Sequence, residues 1–432
     1  MKTVGIICEY NPFHLGHAAH IENTRLLLGG DVGIICVMSP NFVQRGDFAV
    51  FNKHARAKMA VLNGADLVLE LPVPYALSSA EGFAEGGVYI LDRLGICDYI
   101  SFSSESGEIS SLLDAAKTAS SGEFQENVKL WLKRGVSYAA AQQKAADAVL
   151  GTNANVFSTP NNVLGIEYIK AINALSSKLL PITMKRVGGE HDSDTGFSAS
   201  AVRLQLRADR GTVADMGTGA DRGTGADRGT VPLSLRAKTK EPSPCLLPSP
   251  CLLLPAHSIS VCEDEIRSGC GPVFMENAEQ AVLSRLRAVN DFSSILGVSD
   301  GLEQRFAKLA VTAPTIDLIL QGVKSKRFVM SRLRRILMCA ALGITKEHVK
   351  SPPPYIRVLA ASKLGTKLLG SMRKKASLPI ITKPASVYKL GGSAEQMFKL
   401  EAAATDFYVL AYQDTAARTG GSEWTTSPLI MK

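Results

Sequence analysis

The chain has no long uninterrupted apolar run. Its start offers only Lys2 ahead of a short strand-like stretch, without an extended apolar segment or a small-residue cleavage site. Those absences argue against a membrane span and a secretory leader, so the expected location is the cytoplasm, with no membrane partner. Cysteine is sparse, eight in 432 residues at irregular spacings, which suits reduced core thiols and excludes a disulfide framework. Cys245, Cys251, Cys262 and Cys270 cluster along the chain, but their gaps match no zinc-site spacing. Acids are nearly missing from one stretch: residues 324–375 hold fourteen Lys or Arg and a single acid, Glu347. That is +13 in a chain of net +8, leaving −5 for the remainder. So segregated a charge reads as a polyanion-binding surface, RNA or DNA, in preference to a solvated face of mixed sign.

What is present is ordinary globular material, 46% hydrophobic and 20% charged, long enough for two or three domains. Apolar strand-like runs alternate with helical patterns. A strand over residues 4–8 precedes a helix to about 28, closed by Gly29-Gly30. Strand-like 32–38 precedes a helix over 52–63, then come strand-like 66–72, a helix over 80–94 and strand-like 99–102. This is βαβ alternation, so the expected fold is α/β, a Rossmann-like parallel sheet. A helical stretch follows to about 148, then a helix over 163–175 behind Thr159-Pro160-Asn161-Asn162, and a strand candidate over 182–187. In such sheets ligands bind beyond the carboxyl ends of the strands, where His14, Ser39, Glu70 and Ser103 all fall.

The chemistry is concentrated at the first such end, in Ile7-Cys8-Glu9-Tyr10-Asn11-Pro12-Phe13-His14-Leu15-Gly16-His17-Ala18-Ala19-His20. Asn11-Pro12 opens a turn, and a helix can start at His14, so its free N–H groups and dipole favour an anion. His14 and His17, three residues apart, share a face and can both donate to that anion. Zinc on His14, His17 and His20 is the weaker alternative, because no Cys or carboxylate completes a tetrahedral set; no metal site is assigned. His-x-Gly-His after a first strand resembles the phosphate site of the nucleotidyltransferase superfamily, whose members attack the α-phosphate of ATP and expel pyrophosphate.

Residues 208–255 break the pattern with a Gly-rich six-residue repeat and a Pro-Ser-Pro tract, too poor in bulky apolar residues to offset ordering entropy. They are expected to form a disordered insertion. The organisation expected is thus residues 1–207 as a nucleotide-binding domain, 208–255 as the insertion, and 256–432 as a mainly α-helical, basic RNA-binding domain. Helices are expected over 280–289, 302–311, 315–323 and 331–342.

Six separated motifs strengthen the resemblance: Glu9 through His17, Asn41-Phe42-Val43-Gln44-Arg45-Gly46, Leu69-Glu70-Leu71-Pro72, Ser104-Glu105, Pro160-Asn161-Asn162 and Lys326-Arg327-Phe328. Together they are similar to the bacterial tRNA(Met) cytidine acetate ligase family, over the whole chain except the insertion. The resemblance implies a ligase that activates acetate with ATP as acetyl-adenylate and transfers acetyl to N4 of the wobble cytidine of elongator tRNA(Met). It implies that ATP, with Mg2+ as its counter-ion, is held by residues 7–20, with His14 and His17 on the phosphates, together with Ser103, Asn161, Arg186, Val187, Ser200 and Arg203. Ser200 and Arg203 lie in Ser198-Ala199-Ser200-Ala201-Val202-Arg203, which resembles the superfamily's second phosphate motif. The basic stretch implies tRNA contacts by Lys324, Lys326, Arg327, Arg332, Arg334 and Arg335. Ser103 and Pro40 stand where the family usually has Gly. Glu70 is either a base for the cytidine amine or a structural ion-pair partner, and no obligate protein partner is evident. Two other functions fit part of the chain: an adenylyltransferase of a small phosphorylated metabolite, which leaves the basic stretch without a role, and a non-catalytic RNA-binding protein, which leaves the histidines and Arg203 without one.

Overall fold

The computed structural model describes residues 1–186, 199–215, 253–299 and 301–431. Ten strands are described: β1 (Lys2–Cys8), β2 (Val32–Met38), β3 (Phe42–Val43), β4 (Asp47–Phe48), β5 (Leu67–Glu70), β6 (Tyr99–Ser104), β7 (Leu180–Lys185), β8 (Ile356–Ala361), β9 (Ile380–Ile381) and β10 (Leu429–Ile430). All but β3 and β4 join one sheet in the order β10-β8-β5-β2-β1-β6-β7, with β9 also on β8. β1 pairs in parallel with β2 from Lys2↔Val32 to Cys8↔Met38, and β6 pairs in parallel with β7. The chain builds outward from β1 through β2 to β5, then crosses to β6 and β7 on the other side. The strand order therefore reverses between β1 and β6, which places a crevice at their carboxyl ends.

Alternation explains the layers. On the fully buried β2, Ile35 and Val37 face one apolar cluster while Ile34, Cys36 and Met38 face another. The first cluster takes Val88 and Leu91 of the helix Ala80–Arg93 and Ile166 and Ile169 of the helix Pro160–Ala174. The second takes Ile21 of the helix Leu15–Leu27 and Met59 of the helix Lys53–Leu62. Both faces of a parallel sheet are thus covered, as such sheets require. A third cluster lies among the helices Glu279–Arg287, Leu302–Thr312, Ile316–Val323 and Met330–Leu342, close to the expected spans.

Two details add to the expected organisation. The later half is mainly helical, as expected, and its β8, β9 and β10 extend the sheet of the first half, with β8 antiparallel to β5 from Leu67↔Ala361 to Glu70↔Arg357. The run at 356–361 is all buried and pairs with β5, almost three hundred residues earlier. The insertion is also structured at its described ends. The helix Ala199–Asp215 runs into it, and near its close Leu254 is buried beside Val202 and Leu206 while the Leu253 carbonyl accepts the Leu15 N–H at 3.0 Å. Residues 216–252, where most of the repeat lies, fall outside the described residues, as do Val187 and Ser198.

Candidate active site

The helix Leu15–Leu27 begins as the sequence suggests, with His14 as its N-cap in extended conformation. The Gly16 N–H donates to His14 Nδ1 at 3.0 Å, and the His14 N–H donates to His17 Nδ1 at 3.2 Å. A capping box built from two histidines results. The N–H groups that the sequence reading offers to an anion are therefore taken: Leu15 by Leu253, Gly16 by His14. The imidazoles provide the donors instead. With Nδ1 of each neutral ring accepting from backbone, its proton sits on Nε2, which remains free to donate.

Both rings are neutral for a physical reason. Burial and the nearby Arg186 and Arg203 guanidiniums push His14 down to about 3. Burial, His14, His20 and Arg186 hold His17 well below the usual histidine range. The two rings stack at 3.7 Å between centroids, and Tyr10 packs edge-on against His17 at 4.7 Å. Tyr10 itself has φ +45, a left-handed conformation unusual for a bulky residue and typical of strained functional loops. His20 turns elsewhere. Its Nε2 bonds Ser101 Oγ at 3.0 Å, and the Ser101 hydroxyl also meets Thr24, beneath the sheet's carboxyl edge.

The crevice places the other site residues unequally. Arg186 follows β7, its N–H on the Ser104 carbonyl at 2.9 Å. Arg203 reaches back from the helix Ala199–Asp215 to donate to the Asn11 carbonyl at 2.9 Å and to Ser200 Oγ at 3.0 Å. Its acceptors are neutral, and Arg186 has no ion-pair partner among the described residues. Ser103, near the end of β6, is half-buried. Ile7, Cys8, Tyr10, Pro12 and Phe13 are buried, so their side chains shape the loop and only their backbone is available. Asn161 is engaged: Glu105 accepts its side-chain amide at 2.7 Å and the Asn162 N–H at 2.9 Å, so a carboxylate already occupies the start of the helix Pro160–Ala174. Burial opposes ionisation of Glu105, but the Asn161 and Asn162 donors prevail and hold its carboxyl below its usual range.

Several residues the sequence did not single out hold the crevice. Arg56 is fully buried and donates to the carbonyls of Glu9, Ser39, Pro40 and Phe51, tying the loop after β1 to the loop after β2. Glu70, at the end of β5, is ion-paired with Lys53 at 2.5 Å and with Arg357 at 3.4 Å. Glu423 pairs with the same two cations. All four are at most 2% exposed. Asn41 joins them through Thr405, which donates to Glu423 at 2.8 Å. Of its two readings, Glu70 takes the structural one.

The basic stretch also divides. Arg335 donates to the Gln44 carbonyl at 3.2 Å, the Gln44 N–H donates to Glu9 Oε1 at 2.5 Å, and Arg334 pairs with Asp47 at 3.5 Å. A side chain at Gly46 (φ +76) would run into the backbone of Arg334 and Arg335, which is why the turn between β3 and β4 can sit flush on the helix Met330–Leu342. Lys324 donates to the Phe328 carbonyl at 2.6 Å, Arg327 and Arg332 lie over the Phe328 ring, and Arg332 also donates to Ser299 at 2.6 Å. Lys326 is exposed. Most of the six residues expected on RNA thus also have partners within the protein.

Known proteins share the sequence and the fold. The family described as HIGH Nucleotidyl Transferase matches residues 1–423. The chain is 35% identical to a tRNA(Met) cytidine acetate ligase of Acetivibrio thermocellus and 34% identical to one of Thermosipho africanus, in each case over 100% of both chains. Among solved structures it resembles Thermotoga maritima TmcAL bound with alpha-thio ATP, at a TM-score of 0.84 and 33% identity over 100% of both chains. This chain is a member of the HIGH nucleotidyltransferase family, among the tRNA(Met) cytidine acetate ligases.

Proposed function

We propose that this chain is a cytoplasmic, ATP-dependent acetate ligase that acetylates N4 of the wobble cytidine of elongator tRNA(Met). The observation that carries the reading is the pair of neutral imidazoles with free Nε2–H donors, beside two guanidiniums that have no ion-pair partner among the described residues. In the first step a carboxylate oxygen of acetate attacks the α-phosphorus of ATP and the bond to pyrophosphate breaks, giving acetyl-adenylate. Acetate needs no activating base, so the protein's work is alignment and charge stabilisation. His14 and His17 donate to the phosphoryl oxygens, while Arg186, Arg203 and Ser200 take the β and γ phosphates. Residues 7–20, Ser103 and Val187 line the nucleotide, and Asn161 reaches it by exchanging its Glu105 contact. In the second step the cytidine amine attacks the acyl carbon, AMP leaves and the amine loses a proton. Among the described residues no set of three His, Cys, Asp or Glu converges as a metal site. Mg2+ would arrive on the triphosphate, since it is usually bound through substrate phosphates and one or two carboxylates.

Pyrophosphate exchange into ATP tests the reading. It should require acetate, proceed without tRNA, and be followed by acetylation of elongator tRNA(Met) at a single cytidine. Exchange driven by a small phosphorylated metabolite in place of acetate would favour the adenylyltransferase reading, and tRNA binding without any exchange would favour a non-catalytic RNA-binding protein.

A further inference from the structure

The helix Lys363–Lys375 carries five of the fourteen cations of the basic stretch, Lys363, Lys367, Arg373, Lys374 and Lys375, and no acid. All five are exposed, and none of their side chains has an ion pair or hydrogen bond among the described residues. Its apolar side is fully used, with Leu368, Leu369 and Met372 buried. The contacts locate it. Gly365 lies against the Asp66 carbonyl just before β5, Leu368 sits over Gly33 at the start of β2, and the Lys375 carbonyl abuts Gly95 in the turn into β6. Each is at an amino-terminal strand end, opposite to the edge that holds the histidines. Seven residues of β1 separate the two edges by about 23 Å.

The acids of this amino-terminal edge do not neutralise the helix. Asp66 is paired with Arg25 and Asp92 with Arg93, which leaves Asp98 and Asp31 as exposed acids without an ion pair among the described residues, two against the five cations of the helix. Exposed Lys178, in the turn into β7, adds to the positive side. The cations of the last turn complement the helix dipole, but Lys363 stands in its first turn, where a cation is unfavourable, and Lys367 lies outside the terminal turns where the dipole acts. Local helix stability therefore does not account for them. The stretch that reads as one basic surface in sequence is two surfaces in space. The part near the ATP crevice is largely tied to protein partners; the part at the opposite edge is not.

Resting on the ligase reading above, we infer that the amino-terminal edge, centred on the helix Lys363–Lys375, is a second RNA contact that takes the phosphate backbone of a stem of the same tRNA, away from the wobble base. An RNA whose wobble base lies at the carboxyl edge has its stems beyond the anticodon arm available to pass this edge, and phosphate contacts supply affinity without reading sequence.

The test compares two substrates, intact elongator tRNA(Met) and its isolated anticodon stem-loop. With Lys363, Lys367, Arg373, Lys374 and Lys375 all changed to Gln, KM for intact tRNA should rise at least about tenfold. The salt dependence of its binding should weaken by up to about four units of log–log slope, nearly one per lost phosphate contact. KM for the stem-loop should stay within about twofold. The milder pair Lys363→Gln and Lys367→Gln, which removes no charge that the helix dipole favours, guards against misfolding and should weaken intact-tRNA binding in the same direction. Equal effects on both substrates, or no effect on either, would overturn the inference. Acetate-dependent pyrophosphate exchange without RNA should be unchanged in both variants. Its absence from the wild-type protein would instead count against the ligase reading.

Discussion

Two clusters of buried charge stand near the carboxyl edge of the same sheet, built from similar residue types toward opposite ends. Around Glu70, two cations and two carboxylates compensate one another: Lys53 and Arg357 against Glu70 and Glu423, with Thr405 bonded to Glu423. Around His14, two guanidiniums approach a pair of imidazoles that burial and positive charge keep unprotonated, and Arg203 finds only neutral acceptors. The first cluster is complete in itself. The second carries excess positive charge and imidazole donors without a protein acceptor among the described residues, which suits the proposed binding of an anion. Glu423 makes the contrast sharper, since burial opposes its ionisation yet Lys53 and Arg357 hold it down at about 2. Compensation marks structure here, and its lack marks function.

The largest effect expected is on stability. Arg357→Met leaves two buried carboxylates with one cation and should cost about 3–5 kcal/mol of unfolding free energy, read by denaturant titration. Adding Glu423→Gln restores a one-to-one balance between Lys53 and Glu70 and should recover much of that loss. A double variant as unstable as the single one would show that packing, not charge balance, holds the cluster.

Next comes His17→Ala. Removing one preorganised donor to the phosphoryl group should lower acetate-dependent pyrophosphate exchange about a hundredfold or more, while the lost cap should cost only about 1 kcal/mol of stability and leave the protein folded. If exchange stays within a few-fold of wild type, the histidine is only a helix cap and the contrast between the clusters fails.

Arg335 tests a residue that the sequence assigns to RNA and the geometry ties to the ATP loop through Gln44 and Glu9. Its burial brings the guanidinium down to about 10. Arg335→Ala should slow pyrophosphate exchange about tenfold in the absence of tRNA, the scale of one lost hydrogen bond of about 1.4 kcal/mol. The loss should fall in kcat more than in the KM for ATP, with partial rescue by Arg335→Lys. Lys326→Ala should leave exchange untouched. Should Arg335→Ala change only the KM for tRNA, the residue is an RNA ligand and the link to Glu9 is incidental.

What could be read from sequence was what is local. The turn at Asn11-Pro12, the helix start at His14 and the strand–helix alternation to Ser104 all depend on neighbours a few residues apart, and they appear within one or two residues of expectation. What escaped was pairing across distance. Nothing near Lys53 announces Glu423, 370 residues on, and nothing in Pro160-Asn161-Asn162 announces that Glu105 occupies its amides. The run at 356–361 has a strand's apolar character, but following three prolines in a helical context it reads as a weakly patterned tail. A charge count along the chain likewise cannot tell that Arg335 faces Glu9 while Lys367 lies on the far edge.

The smallest effect concerns His20, which the motif groups with His14 and His17 and the structure groups with the sheet. His20→Gln keeps a hydrogen-bonding atom near Ser101 and should leave pyrophosphate exchange within about threefold, since a neutral hydrogen bond off the phosphate path is worth about 1 kcal/mol. Its signature should be in pH. Burial holds His20 at about 4 in the folded protein, whereas the unfolded side chain takes its proton near the ordinary value of 6.5. Between those values the unfolded state binds more protons, so the folded state is disfavoured as pH falls; stability is full above about 6.5 and declines toward about 4. His14, at about 3, contributes with the same sign over a wider range. Unfolding free energy measured from pH 7 to pH 4 should therefore fall for the wild-type protein and fall less steeply for His20→Gln. An unchanged slope with a large loss of exchange would move His20 into the phosphate site and erase the distinction between the two kinds of buried histidine.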